Sequence, residues 1–229
     1  MNVAALIPAK GFTHAKQRLS PLLGAAERRM LAEVMLRDVL RQALLARGLE
    51  ATFVVTGDAR ISEIASSLGA KLIQEEEERG ETEAVVFALA ELKQRGIQAV
   101  LVIPADIPLV CASDIELLLE HVSGHDSTTP FALLVPSHDR MGTNALLLSP
   151  PDVIELRFGY DSFSYHLSEV AAKGLPLRVL ENKRIGLDID EPKDMERFLS
   201  VGRGGETYDK ALQMGVVGDP LRSHRSERL

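Results

Sequence analysis

One cysteine, Cys111, is all that the 229 residues contain. An internal disulfide is therefore excluded, and so is a metal cluster built on several thiolates. Long apolar runs are missing as well, since no stretch approaches the roughly 18 residues that a membrane span requires. The opening MNVAALIPAK has no basic leader before its apolar run, so the chain is expected to be cytoplasmic, with no membrane partner. Positive charge is also outnumbered, with 26 Lys and Arg against 33 Asp and Glu. A net charge of -7 and a pI near 5.4 argue against a nucleic-acid binder, which needs a basic face. Neither GxGxxG nor a Walker A sequence occurs. A protein of this balance that handles phosphates must gather its cations locally or recruit a metal.

What is present is globular. Hydrophobic residues make up 45% and charged residues 26%, enough to build a sizeable core, and the length favours one large α/β domain. Apolar runs at Val3 to Ile7, Thr52 to Val55, Lys71 to Ile73, Leu101 to Ile103, Phe131 to Val135, Ala145 to Leu148 and Leu177 to Leu180 read as strands. Helical spacing lies between most of them. The longest such stretch runs from about Ala26 to Leu45, with Met30, Val34, Leu40 and Leu44 expected on one face. Asp58 reads as a helix N-cap, Ser113 with Glu116 as a capping box, and Pro192 as the first residue of a helix. The acidic run Glu75 to Glu78 reads as a solvated loop. Strands alternating with helices imply a mainly parallel sheet covered on both faces. Beyond about Val201 the periodicity fades, and residues 201–229 are expected to form an arm with little apolar surface to bury.

The stretch LVIPADIPLV, Leu101 to Val110, organises the chemistry. Its strand ends at Pro104, which places Asp106 at a carboxyl edge, where open parallel sheets bind ligands. The first strand, closed by Pro8, feeds a loop that carries Lys10, Lys16 and Arg18. Near the end, Asp188 and Asp190 alternate in GLDIDEP and project to one side if that segment is extended. Asp190 has a second reading, as a cap for the helix at Glu191. Nucleotidyl transfer needs cations around a triphosphate and hard oxygen ligands for Mg²⁺, and these residues supply both. The loop PSHDRMGTN is too long for a tight hairpin and is placed to cover a site. The histidines, His14 and His166 among them, read as surface or contact residues rather than catalysts.

Five motifs occur in one order: IPAKGFTHAKQRL, PADIPL, GTNALLL, the FG and DS between Phe158 and Ser162, and DIDEP. Together they resemble the 2-phospho-L-lactate or phosphoenolpyruvate guanylyltransferases of coenzyme F-420 biosynthesis, over about Val3 to Leu199. The resemblance implies a three-layer α/β/α sandwich of the nucleotide-diphospho-sugar transferase type, Rossmann-like, with a single nucleotidyltransferase domain over residues 1–200. It implies transfer of GMP from GTP onto a small phosphorylated carboxylic acid, with release of pyrophosphate. Pro8, Lys10, Lys16 and Arg18 would hold the nucleotide, and Asp106, Asp188 and Asp190 the Mg²⁺. Lys16 and Asp106 would be the catalytic pair, and Thr143, Gly159 and Ser162 would hold the acceptor. Phosphoenolpyruvate is the favoured acid, ahead of 2-phospho-L-lactate and 3-phosphoglycerate. A homodimer is compatible with this reading. One departure stands out: relatives commonly read Gly-Leu-Asn where this chain has Gly80, Glu81, Thr82 and Glu83, so Glu83 is expected to bear on base preference. A cytidylyltransferase acting on a sugar acid, a glycosyl transferase of the same fold, and a non-catalytic nucleotide-binding protein stay open as alternatives.

Overall fold

A computed structural model describes residues 1–75, 80–123, 129–202 and 204–216. Its strands are β1 (Val3–Pro8), β2 (Ala51–Thr56), β3 (Lys71–Gln74), β4 (Ala99–Val102), β5 (Phe131–Pro136), β6 (Thr143–Ser149) and β7 (Leu177–Val179). They form one sheet in the order β3-β2-β1-β4-β6-β5-β7. Pairing is parallel except around β6, which runs antiparallel to β4 and β5. The helices are α1 (Ala25–Leu45), α2 (Ala59–Leu68), α3 (Glu81–Gln94), α4 (Ala112–Ser123), α5 (Ser162–Ala172), α6 (Pro192–Val201) and α7 (Glu206–Gln213).

Strand side chains alternate between faces, and the sequence is apolar at both parities, so both faces bury. Val3, Ile7, Leu101 and Leu147 pack with Leu36 of α1, Ile61 of α2 and Ile115 of α4. Ala4, Leu6, Val100 and Leu148 pack with Val85 and Leu89 of α3 and Val170 of α5. The result is the expected α/β/α sandwich, with each fully buried Leu or Ile contributing roughly 1.5–3 kcal/mol. The chain leaves β1 toward β2 and β3 and returns on the other side at β4. The carboxyl ends of β1 and β4 therefore flank a topological switch point, where open α/β sheets bind ligands.

A third apolar cluster joins Leu19, Leu31, Met35, Leu187, Ile189, Met195, Phe198 and Ala211. It ties the loop after β1 and the segment before α6 to the start of α1. Among the described residues no helix is long and apolar enough to cross a membrane.

Several local expectations change. The buried face of α1 is Leu31, Ala32, Met35, Leu36, Val39, Leu40 and Ala43, while Met30 is exposed and Val34 and Leu44 are half-buried. The helix touches α2, α4 and α7 as well as the sheet, so its buried stripe is wider than one heptad seam and sits one residue further on. At α4 the reach-back comes from Asp114 in the first turn, whose Oδ2 accepts from Cys111 N at 2.9 Å; Glu116 instead binds Arg47. Asp58 caps α2 as expected, accepting from Arg60 N and Ile61 N. Residues 206–213 are not an aperiodic arm but a helix packed on α1. Thr207 and Ala211 are buried there, and Asp38 accepts from Thr207 N at 2.8 Å. Of the acidic run, Glu76 to Glu78 lie outside the described residues.

Candidate functional site

Past Pro8 the chain makes two short 3-10 segments, Phe12–His14 and Gln17–Leu19, and Leu19 is fully buried in the third cluster. That anchor turns Lys16 back over the end of β4, with the lysine at a left-handed φ of 53°. Such a conformation costs a residue with a Cβ roughly 1–2 kcal/mol. The ammonium it directs inward lies 2.6 Å from Asp106 Oδ2 and 2.7 Å from Asp190 Oδ1. Burial alone would push the Lys16 ammonium down, but the Asp106 and then the Asp190 carboxylate outweigh it and hold the lysine above its usual range. Burial likewise works against the Asp190 carboxylate, yet Lys16 brings it below the usual range.

The segment Leu187 to Asp190 reads as two alternating sets. Leu187 and Ile189 are buried in the third cluster, which leaves Asp188 and Asp190 to face the site. Ile189 N donates to Asp106 O at 3.1 Å and locks this segment beside the loop after β4. The turn before it has no room to vary: a Cβ on Gly186 would come within 2.9 Å of Asn182 O. Asn144 Nδ2 donates to Asp188 Oδ1 at 2.9 Å and to Ile185 O at 3.0 Å. Burial, and next the Asp106 carboxylate, push Asp188 up to about 6. Asp190 caps nothing; the N-cap of α6 is Glu191, bridged by Asp194.

Two carboxylates thus meet one ammonium, with Asp188 beside them on Asn144, and Asp106 Oδ1 is buried with no hydrogen-bond partner. Hard oxygens short of positive charge suit a divalent cation such as Mg²⁺. As they stand, no three His, Cys, Asp or Glu side chains among the described residues are gathered closely enough to hold one. Lys16 fills the space between Asp106 and Asp190, and Asn144 holds Asp188 aside.

Two cavities adjoin this cluster. One, of about 370 Å³, is walled by Pro8, Lys10, His14, Lys16, Met35 and Leu36. The other, of about 550 Å³, is walled by Thr143, Gly159, Ser162, His138, Arg18 and Lys193. Glu81, Pro104, Asp106 and Asp190 border both. In the second cavity Thr143 N donates to Ser162 Oγ at 3.1 Å, and Thr143 Oγ1 lies 2.9 Å from His166 Nδ1. Gly159, at φ 101°, lets the chain turn into α5.

The guanylyl transferase CofC-like family model matches residues 3–229. The chain belongs to that family. A 2-phospho-L-lactate guanylyltransferase from Methanothermobacter thermautotrophicus is 34% identical over 229 residues, covering 100% of this chain and 97% of the relative. A phosphoenolpyruvate guanylyltransferase from Rubrobacter xylanophilus is 37% identical over 202 residues, covering 88% and 96%. Among solved structures, a protein described as a nucleotide-diphospho-sugar transferase from Desulfovibrio desulfuricans superposes with a TM-score of 0.75 at 20% identity, covering 93% of this chain and 95% of that one. At that identity the likeness shows the fold, in agreement with the sandwich described above.

Within this family member, Lys16, Asp106 and Asp190 come into contact, while Asp188 faces the same site from its hydrogen bond with Asn144. Arg18 does not join Lys10: it is exposed, 3.5 Å from Glu191, on the side of the second cavity. Glu83 is exposed and folds back over Gly80, so the acidic residue that faces the site is Glu81. Burial and then Asp106 push the Glu81 carboxyl up. His166 is fully buried, not at the surface; burial, followed by the Arg157 guanidinium, presses it down to about 4. Read from the sequence, Asn144 and His166 have no role in the site, although each carries a local signal. Asn144 sits inside the quoted motif GTNALLL, one residue past Thr143, and His166 four residues past Ser162, a helical spacing that would have put both on one face.

Proposed function

We propose that the protein transfers GMP from GTP to a small phosphorylated carboxylic acid, with phosphoenolpyruvate as the favoured acid, as a step toward coenzyme F-420 in the cytoplasm. The observation that carries this reading is the Lys16, Asp106 and Asp190 cluster set where two cavities meet. The nucleotide occupies the first cavity, with Lys10 and Lys16 near its phosphates. The acid occupies the second, against Thr143, Gly159 and Ser162.

An acceptor phosphate loses its second proton near pH 6, so at neutral pH its oxygen is already a nucleophile and needs no general base. That oxygen bonds to the α-phosphorus as the bond to the α–β bridging oxygen breaks, and the electron pair leaves with pyrophosphate. Lys16 exchanges its carboxylates for phosphate oxygens, which frees Asp106 and Asp190. Asp106, Asp188 and Asp190 would be the residues to hold a Mg²⁺, which would supply charge neutralisation to the phosphates. The chain's own contribution is alignment, together with cationic groups fixed where negative charge builds.

Phosphoenolpyruvate and 2-phospho-L-lactate carry the phosphate next to the carboxylate. 3-Phosphoglycerate is longer and adds a hydroxyl that needs a partner. The test is incubation with GTP, Mg²⁺ and each acid separately, with products weighed by mass spectrometry. A GMP adduct of phosphoenolpyruvate is expected. An adduct with 3-phosphoglycerate alone overturns the choice of acid, no adduct with any acid overturns the activity, and turnover with CTP in place of GTP overturns the base.

A further inference from the structure

We infer that His166 is a positioning residue for the acceptor: from inside the protein it occupies the accepting side of the Thr143 hydroxyl, so that the Thr143 and Ser162 hydroxyls turn their hydrogens toward the second cavity. The inference rests on the reading that this cavity takes the phosphorylated acid.

The tautomer follows from the backbone. Arg157 N donates to His166 Nε2 at 3.2 Å. A ring nitrogen that accepts carries no proton, so in the neutral imidazole the proton sits on Nδ1. Nδ1 lies 2.9 Å from Thr143 Oγ1, which makes the ring the donor and the hydroxyl the acceptor. The hydroxyl's own hydrogen then has nothing to bind on the ring. Ser162 is placed alike, because its Oγ accepts from Thr143 N at 3.1 Å and its hydrogen is left over. Both residues line the second cavity.

The ring is held in this pose from both sides. Phe158 and Tyr165 meet it edge-on with centroids 5.5 and 5.8 Å away, and the Arg157 guanidinium stacks 4.2 Å over Tyr165. A second proton on the ring would point at the Arg157 N–H, so His166 stays neutral and keeps its direction. A wall that offers two hydroxyl hydrogens suits an oxyanion, which only accepts. A ligand hydroxyl gains least from such a wall, since its own hydrogen finds no partner there. His166 thereby acts on the class of acceptor without touching it.

Asparagine places an amide where Nδ1 stands, and glutamine places one where Nε2 stands. His166→Asn therefore keeps a donor for Thr143, whereas His166→Gln keeps only the partner of Arg157. We expect KM for the acid to rise roughly tenfold in His166→Gln, the loss of one hydrogen bond to a charged group. The rise should be clearly smaller in His166→Asn, with KM for GTP unchanged in both. In a Thr143→Val background His166→Gln should add nothing, as coupled positions do. Nitrogen-15 NMR of the wild-type protein, which needs no turnover and no variant, should show the Nδ1–H tautomer. An Nε2–H tautomer, equal KM for the two variants, or an undiminished loss in the Thr143→Val background overturns the positioning role. A wild-type protein inert toward every acid overturns the acceptor reading beneath it, which is a separate failure.

Discussion

The two sides of the site are built by opposite means. On the side proposed for the nucleotide, charged groups face one another with little between them: Lys16 spans Asp106 and Asp190, Lys10 is exposed, and Glu81 is half-buried beside them. On the side proposed for the acceptor, a neutral and largely buried chain of contacts runs from Arg157 N through His166 and Thr143 to Ser162, with Arg18 and Lys193 elsewhere on the cavity wall. Ions can exchange partners when a ligand brings its own charges, because each keeps a strong interaction through the swap. Neutral hydrogen bonds in a buried network cannot, since a lost partner leaves a polar atom stranded. The first side is thus suited to rearrange as substrate binds and the second to stay as it is.

The sharpest way to break this contrast is to remove charge. Asp106→Asn and Asp190→Asn are expected to lower kcat by at least about a hundredfold while leaving the fold intact. Lys16→Ala should cost about 2–4 kcal/mol in kcat/KM for GTP. Steady-state kinetics at saturating Mg²⁺, with circular dichroism as a control, measures all three. Wild-type kcat in both aspartate variants would remove the metal assignment.

On the neutral side smaller effects confined to one substrate are expected. Ser162→Ala should raise KM for the acid roughly tenfold by removing one hydroxyl donor to an oxyanion, and leave KM for GTP within error. An equal rise for GTP would mean that the two cavities do not divide the substrates as argued.

Asp188 sharpens the comparison through pH. Its folded carboxyl sits at about 6 instead of 3.8, so between those values the folded state binds the extra proton. The Asp188 contribution therefore lowers stability as pH rises from about 4 to about 6, and that cost remains in full above 6. Asp188→Asn should gain stability relative to wild type across that window, in the absence of divalent cation. Mg²⁺ should bind more tightly as pH rises through 6, because binding needs the ionised form. Thermal melts from pH 4 to 7 with and without Mg²⁺ check both signs; parallel melting curves for the two proteins would remove the linkage.

The smallest effect on activity lies outside the site. Ending the chain at Gly202 removes α7, which covers α1 with the fully buried Ala211. A loss of about 2 kcal/mol and a Tm lower by several degrees are expected, with KM for both substrates little changed. The exposed Arg41 and Glu206 pair, at 2.6 Å, should account for at most about 0.5 kcal/mol of this, measured as Arg41→Ala. An unchanged Tm after truncation would restore the view of this segment as a loose arm.

The strand positions, most helix positions and the charged half of the site were legible because each is written in short-range terms. Runs of β-branched and aliphatic residues ended by Pro8 and Pro104 declare strands and their carboxyl edges, and the alternation in GLDID declares which side the two aspartates face. Family membership was legible for the same reason, as ordered motifs along the chain. What the tertiary structure alone decided is how distant groups divide the work. That Lys16 spans Asp106 and Asp190 depends on residues 90 and 174 positions away. That Glu81 rather than Glu83 faces the site depends on the phase of α3 against the sheet, and α7 is a helix because α1 offers it a surface. His166 is the extreme case. Its spacing fits a surface helix as well as a core one, and its proton is placed by a backbone N–H on a preceding loop. Local propensity cannot carry that information, because the energy that fixes it arises only when buried polar groups from separate elements must satisfy one another.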